Sequence, residues 1–205
     1  MKRKIISLFV FVAVMSLSIS LTAQSKYLLN SHSIEIEGTS NVMSWEAEVS
    51  DVSGEFILKA NGNDVISDVE KTSLRIKAST IEGSEGRRMT EKIYEALNVQ
   101  RHQYITFRLQ EVQQVRSSSN NPELFRIVSS GVLTISGVSR NINLNTVGRI
   151  LPNGNIIFSG SKAINMTHYE VKPPRAMLGA LRTREEVTVK YTISLTPDDE
   201  SLTDK

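Results

Sequence analysis

The amino-acid sequence predicts an all-β fold, an antiparallel β-barrel of about eight strands with one inserted helix. Three observations lead to this prediction. Apolar and polar residues alternate with period two along much of the chain, short polar turn sequences separate the alternating runs, and one segment has helical spacing instead. A long antiparallel sheet leaves two unpaired edges, and closure into a barrel removes both of them.

The N-terminal segment has the layout of a secretory signal peptide. Residues 2–4 are all basic, a mainly apolar run follows to residue 19, and Ala23 offers a cleavage site before Gln24. An uncleaved membrane anchor is the alternative, but a spanning helix needs about 20 strongly apolar residues. We therefore predict a signal peptide over residues 1–23 and export to the periplasm, with secretion to the medium as the alternative.

Loss of this segment would change the charge of the chain. The full sequence has 24 Lys and Arg against 22 Asp and Glu, and residues 1–23 hold three bases and no acid. The exported chain would therefore carry a net charge of −1, which supplies no positive field for nucleic acid or for an anionic membrane surface. The sequence has no cysteine, so an exported chain would depend on a buried core rather than on disulfides.

The rest of the chain is long enough for one domain with a sizeable core, which we place at residues 24–196. Residues 197–205 are polar and acidic and are predicted to form a disordered tail. We expect no stable membrane insertion after signal cleavage. A homodimer is compatible with the pattern, because an exposed barrel face and a dimer face look alike in a sequence.

The predicted strands follow one another in a meander. The clearest one spans residues 187–195, where five apolar residues alternate with four polar ones. The same alternation begins again near residues 34, 56, 74, 105, 133 and 142. Polar turn sequences lie at residues 61–64, 117–122, 137–139 and 152–155. At about eight strands, a barrel interior can either be filled by side chains or hold one small ligand.

Two segments depart from the strand pattern. Residues 86–98 place Met89, Ile93, Ala96 and Leu97 on one face at helical spacing, which predicts a helix across a barrel end or flank, as a plug or a lid. Residues 166–181 form a long connection with Pro173 and Pro174 in its middle. Its apolar content predicts that it folds back on the barrel.

The residues that carry most enzyme chemistry are scattered. His32, His102 and His168 have neither helical nor strand spacing, so we predict no metal site. The sequence has no Gly-x-Ser-x-Gly elbow and no glycine-rich phosphate loop, so we predict no catalytic residues, no cofactor and no enzyme activity. Basic residues at 87–88 and at 182 and 184 would meet a lipid phosphate if their loops gathered at one barrel mouth; otherwise they are solvated.

Several segments together resemble the YceI-like family of bacterial envelope proteins. The most specific is the hairpin GVLTISGVSR at residues 131–140. The helix at 87–97 followed by RHQYITF at 101–107, the opening GTSNVMSW at 38–45, and the final loop and strand at 166–174 and 187–195 also match the family pattern. The resemblance covers most of residues 31–196. It implies a lipocalin-like barrel that binds a long isoprenoid or similar lipid in an apolar interior.

On this basis we predict that the inward apolar side chains contact the lipid and that residues of the inserted helix cap one end. The predicted ligand-binding residues are Ile34, Ile36, Phe56, Leu74, Ile76, Met89, Ile93, Leu97, Phe107, Leu109, Leu133, Ile135, Ile142, Leu144, Val187, Val189 and Tyr191. Storage or transport of the lipid is the expected role. The alternative is a filled barrel without a small-molecule ligand, whose loops bind another envelope protein.

Overall fold

The structure is a computed structural model that describes residues 23–60, 66–121, 123–176 and 181–198. In these ranges the chain forms eleven antiparallel strands and one α-helix. The helix, α1, spans Arg87–Leu97. The strands are β1 (Ala23–Ser40), β2 (Ser44–Val49), β3 (Val52–Ala60), β4 (Ile66–Lys77), β5 (Ile81–Gly83), β6 (Tyr104–Ser117), β7 (Leu124–Ile135), β8 (Val138–Ile150), β9 (Ile156–Asn165), β10 (Arg175–Ala176) and β11 (Leu181–Pro197).

Eight of these strands close into a barrel. They follow one another in the order β1, β3, β4, β6, β7, β8, β9 and β11, and β11 pairs with β1 to complete the ring. Closure depends on the length of β1: its first residues pair with β3, whereas its last residues pair with β2, which in turn pairs with β5. The prediction of an antiparallel barrel of about eight strands with one inserted helix is confirmed.

Two of the predicted turns can be compared directly with the backbone of the structure. Ser136 and Gly137 both have positive φ, 49° and 81°, and they join β7 to β8 in a two-residue turn. The reversal therefore lies one residue earlier than the predicted 137–139. The turn at residues 152–155 is confirmed, with the Leu151 N–H donating to the Asn155 carbonyl at 2.8 Å. The predicted turn at 61–64 lies outside the described residues.

The helix closes one end of the barrel. It begins after Gly86 and ends at Asn98, both of which adopt positive φ, and Ile93 is its buried residue. The Tyr94 hydroxyl donates to the Ser79 carbonyl at 2.6 Å, and the Ser136 hydroxyl donates to the Leu97 carbonyl at 3.0 Å. These contacts hold α1 against the β7–β8 turn at one end and against the connection between β4 and β5 at residue 79. The apolar face of α1, with Met89, Ile93 and Leu97, lines the barrel interior.

The opposite end of the barrel is packed with large side chains. Phe125 and Phe158 meet edge to face with ring centroids 5.9 Å apart, and Leu58, Ile156 and Leu195 beside them are almost fully buried. Their burial supplies much of the hydrophobic stabilisation of this half of the molecule. The interior is therefore solid here and more open toward α1.

The described chain begins at Ala23 and ends at Asp198. Residues 1–22 and 199–205, which hold almost all of the predicted signal peptide and most of the predicted tail, lie outside the described residues. Pro197 is the last residue of β11, and Asp198 is buried and forms an ion pair with Lys26 at 2.9 Å. Residues 197 and 198 therefore both contact β1.

Candidate ligand-binding cavity

The side chains of the barrel leave a cavity of about 260 Å³ between the packed end and α1. Strands of the whole ring contribute to its wall, because every second residue of a strand points inward. A buried water needs only about 10–15 Å³ of such space and two or more polar partners. A cavity many times larger with an apolar wall is therefore suited to an apolar occupant.

All seventeen predicted ligand-binding residues lie in the wall of this cavity. Met89, Ile93 and Leu97 come from α1, and the others come from the barrel strands. The structure thus brings together residues that are up to 157 positions apart in the sequence, from Ile34 to Tyr191. Their contact with a ligand remains a prediction.

The wall also contains residues that the sequence analysis did not predict. Those with apolar or aromatic side chains are Trp45, Ala47, Val49, Val69, Ile81, Ala96, Ile105, Val112, Ile127, Phe158, Ile164, Met166, Tyr169, Val171, Pro174 and Ile193. Residues 45, 47 and 49 alternate with polar neighbours, so the same period-two signal could have found them. Tyr169 and Val171 are buried, which confirms that the described part of the loop after β9 folds back on the barrel.

Trp45 is held in the wall by a glycine. Gly38 lies directly opposite Trp45 in the β1–β2 ladder, and a Cβ at that glycine would approach the indole ring to 2.2 Å. The indole therefore lies flat on the β1 backbone. Trp45 is 8% exposed, and its buried Nε1 has no hydrogen-bond partner among the described residues. It is the sole tryptophan of the sequence, so its fluorescence reports on the cavity alone.

Few polar groups interrupt the apolar wall. The hydroxyls of Thr146 and Tyr191 lie 2.7 Å apart and share a hydrogen bond. Burial raises the pKa of Tyr191 above its ordinary value, and the hydrogen bond with Thr146 acts in the opposite direction. Burial also raises the pKa of Tyr169, opposed by the nearby charge of Arg140. Both phenols therefore stay neutral near pH 7, where they act as hydrogen-bonding groups rather than as bases.

Lys162 is the one charged residue among the described residues of the cavity wall. It occupies an inward position of β9, between Phe158 and Ile164 on the same face. Thr72 and Ser129 are the other polar side chains in the wall. The sequence analysis did not predict Lys162, Thr72 or Ser129 as wall residues.

The three histidines lie on different segments of the fold. His32 lies on β1 opposite Ile193, His102 packs against Gly137, and the His168 carbonyl accepts from Arg140 at 3.0 Å. Within the described ranges, no group of three or more His, Cys, Asp and Glu residues could hold a metal ion. Of the basic pair at the start of α1, Arg87 forms an exposed pair with Glu91 at 2.9 Å, as expected for a solvated helix face.

The chain belongs to the family of the YceI-like domain, which matches residues 27–195. None of the curated proteins compared with the chain matched it. In the described part of the chain, no helix is both long enough and apolar enough to cross a bilayer.

Solved structures share this fold at low sequence identity. A polyisoprenoid-binding domain from Saccharophagus degradans superposes with a TM-score of 0.62 at 11% identity, covering 85% of this chain and 99% of that one. BcnA from Burkholderia cenocepacia superposes with a TM-score of 0.61 at 12% identity, covering 80% of this chain and 96% of BcnA. The YceI protein of Campylobacter jejuni superposes with a TM-score of 0.53 at 14% identity, covering 74% of this chain and 84% of that protein. At these identities the likeness establishes the fold.

Proposed function

We propose that this protein binds an apolar, isoprenoid-like lipid inside the barrel and stores or transports it. The observation that carries the proposal is the cavity of about 260 Å³ with its almost entirely apolar wall. Such a wall offers a hydrocarbon chain a favourable transfer from water at about 25 cal/mol per Å² of buried apolar surface. The structural likeness to a domain described as polyisoprenoid-binding supports the same ligand class.

The energetic cost of leaving such a cavity unfilled also favours a lipid. At roughly 24 cal/mol per Å³, a void of 260 Å³ corresponds to about 6 kcal/mol. That is comparable to the whole free energy of unfolding of many domains. A bound hydrocarbon would recover much of it by restoring dispersion contacts. The alternative function, a filled barrel that binds another envelope protein, provides no reason to retain this space.

We propose binding without chemical conversion of the lipid. The ionisable side chains among the described wall residues are Lys162, Tyr169 and Tyr191, and the raised pKa of each tyrosine makes it a poor base near neutral pH. General acid–base catalysis needs a group whose pKa lies near the working pH. Retention of an unmodified lipid is the expected result.

Native mass spectrometry combined with solvent extraction tests the binding function. Protein purified without detergent from the envelope of its own organism is expected to carry one lipid, which extraction then identifies. A protein mass without adduct, together with no uptake of added isoprenoids, would contradict the proposal and favour the filled-barrel alternative.

A pair of neighbouring variants on β7 sharpens this test. Leu133→Lys places a charge in the cavity wall and is expected to abolish lipid retention. Val132→Lys, the matched control, changes the adjacent residue on the outward face and should retain the lipid. Circular dichroism confirms that both variants fold. Equal lipid content in both folded variants would show that the cavity is not the binding site.

The signal-like N-terminus supports a periplasmic location, with secretion as the alternative. Cleavage after Ala23 would leave a chain that begins at Gln24, the second residue of β1. Intact-mass measurement of the protein from the periplasmic fraction and the medium checks this start site. Recovery of a chain that begins at Met1 in the membrane fraction would contradict the proposed location.

A further inference from the structure

The barrel wall contains a gap in its hydrogen-bond ladder between β8 and β9. In the described residues, these strands pair from Ile150–Ile156 to Thr146–Gly160, and the ladder stops there. Among the described strands, residues 138–145 of β8 then pair only with β7, and residues 161–165 of β9 pair only with β11. Ile142 and Leu144 on one side and Ile164 on the other line the cavity, so the cavity extends to this β8–β9 gap.

Lys162 lies at this gap, and no carboxylate of the described residues pairs with it. Its backbone is opposite Val189 of β11, and its side chain both lines the cavity and remains partly exposed. No described side chain forms a hydrogen bond or ion pair with its ammonium group. By contrast, Lys190 on the outer surface of β11 pairs with Glu37, and Lys71 pairs with Glu55 at 2.8 Å.

Further hydrogen-bonding groups lie next to Lys162. Gly160 precedes it on the inner face of β9, and the Tyr191 ring crosses that glycine, since a Cβ there would lie 2.4 Å from the phenol oxygen. This close approach brings the Tyr191 hydroxyl to Thr146 at the last pair of the β8–β9 ladder. A cation and two hydroxyls thus lie at the point where the two strands separate.

An unpaired ammonium group in an apolar wall is unfavourable unless it reaches water or meets an anion. A lysine at a gap can satisfy both conditions, because its aliphatic stem packs against the wall while its charge stays near solvent. We propose that the bound lipid ends in an anionic group, such as a phosphate, that pairs with Lys162 at the β8–β9 gap. The inference rests on the proposed lipid-binding function and names the chemistry of the ligand's polar end.

The position of Lys162 also orients the ligand. From Lys162 the inner face of β9 continues through Gly160 to Phe158, a distance of about 13 Å at 3.3 Å per residue. Phe158 lines the cavity at the packed end of the barrel. The hydrocarbon chain therefore occupies the cavity between Phe158 and α1, and the anionic group stays at the gap, where water can reach it.

Binding of farnesyl phosphate and farnesol, followed by the fluorescence of Trp45, tests this proposal. The two probes share one hydrocarbon chain and differ in the anionic group. Wild-type protein is expected to bind farnesyl phosphate roughly tenfold to a hundredfold more tightly than farnesol, since hydrogen bonds to charged groups raise affinity by about that factor. Added salt should weaken binding of farnesyl phosphate and leave farnesol unaffected. Inorganic phosphate should not displace farnesyl phosphate, because it lacks the chain.

Substitution of Lys162 gives the decisive comparison. Lys162→Met should remove the preference for farnesyl phosphate over farnesol without lowering the affinity for farnesol. Lys162→Arg should keep the preference. Lys71→Met, the control, makes the same change of charge on an exposed strand position and should behave as wild type. Unfolding midpoints establish that each variant folds, and the salt dependence of the wild type provides a readout that needs no variant.

The outcomes separate this inference from the function on which it rests. Equal affinity of the wild type for both probes, or an unchanged preference in Lys162→Met, would overturn the anionic end group and leave lipid binding intact. Displacement of farnesyl phosphate by inorganic phosphate would indicate a site for free anions instead. Failure of the wild type to bind either probe would contradict the proposed function itself.

Discussion

At the scale of single residues, glycines create the space that the aromatic side chains of the cavity occupy. Gly38 faces Trp45 across one ladder, and Gly160 faces Tyr191 across another. In each pair the ring lies on the glycine, at separations that no Cβ would tolerate. The indole and the phenol are thereby fixed against the wall, and the phenol can reach Thr146 on the next strand. Gly160 thus allows one pair of hydrogen-bonded hydroxyls to form in the cavity wall.

The raised pKa of Tyr191 predicts a loss of stability in alkaline solution. An unfolded tyrosine titrates near pH 10, and burial raises the pKa of Tyr191 in the folded state. The folded state therefore holds this proton more tightly, and the stability it contributes is present below pH 10 and is lost as pH rises through the folded pKa. Urea unfolding at increasing pH is expected to show this loss in the wild type.

Tyr191→Phe is the variant that assigns this effect. Its free energy of unfolding at pH 7 should be lower than that of the wild type by about 1 kcal/mol, because the hydrogen bond with Thr146 is lost. Its urea midpoint should fall accordingly. It should also lose less stability above pH 10 than the wild type does. Equal alkaline loss in both proteins would mean that other groups, such as Tyr94 and Tyr169, account for it.

At the scale of elements, α1 and the packed end close the barrel in different ways. The packed end is filled by side chains of the strands themselves, including Phe125 and Leu195. The helix instead closes its end with one apolar face and two hydrogen bonds from side-chain hydroxyls, those of Tyr94 and Ser136. The α1 end is therefore closed by a separate element, whereas the packed end is closed by the barrel strands themselves.

Ile93→Ala tests how much α1 contributes to stability. Ile93 is the buried residue of the helix and also lines the cavity, so its truncation should lower the free energy of unfolding by about 2–3 kcal/mol. Arg88→Ala on the exposed face of α1 is the control and should change it by less than about 0.5 kcal/mol. Chemical denaturation of the two lipid-free variants and of the wild type measures these changes in the free energy of unfolding. A similar small effect for Ile93→Ala would mean that the helix is poorly packed on the barrel.

At the scale of the whole molecule, binding and stability are linked through the cavity. A ligand that binds the folded chain alone adds about 2.7 kcal/mol of stability at one hundred times its dissociation constant. For a domain of this size, that corresponds to an increase in Tm of about 5–10 °C. Thermal unfolding of delipidated protein with and without farnesol checks this expectation. Val132→Lys should show the increase and Leu133→Lys should not; an increase in both would place the ligand outside the cavity.

Much of the cavity could be predicted from the sequence because strand alternation is a local signal. Residues two positions apart share a face of a strand, so the apolar member of each pair is known to point inward before the sheet is assembled. This rule places Leu133, Ile135 and the other predicted strand residues in one wall. Residues 45, 47 and 49 of β2 alternate in the same way, but the strand has only six residues and its central inward residue is a small alanine, so the signal there is weaker than in the longer strands.

The sequence by itself determined the class of fold, the extent of α1 and about half of the apolar wall, because each of these follows from patterns among neighbouring residues. Only the tertiary structure decided that β11 pairs with β1 and that β8 separates from β9 at Thr146, because pairing between distant strands depends on register. It also decided the role of Lys162. A lysine on a strand normally faces water, and only closure of the barrel showed that this one lines the cavity.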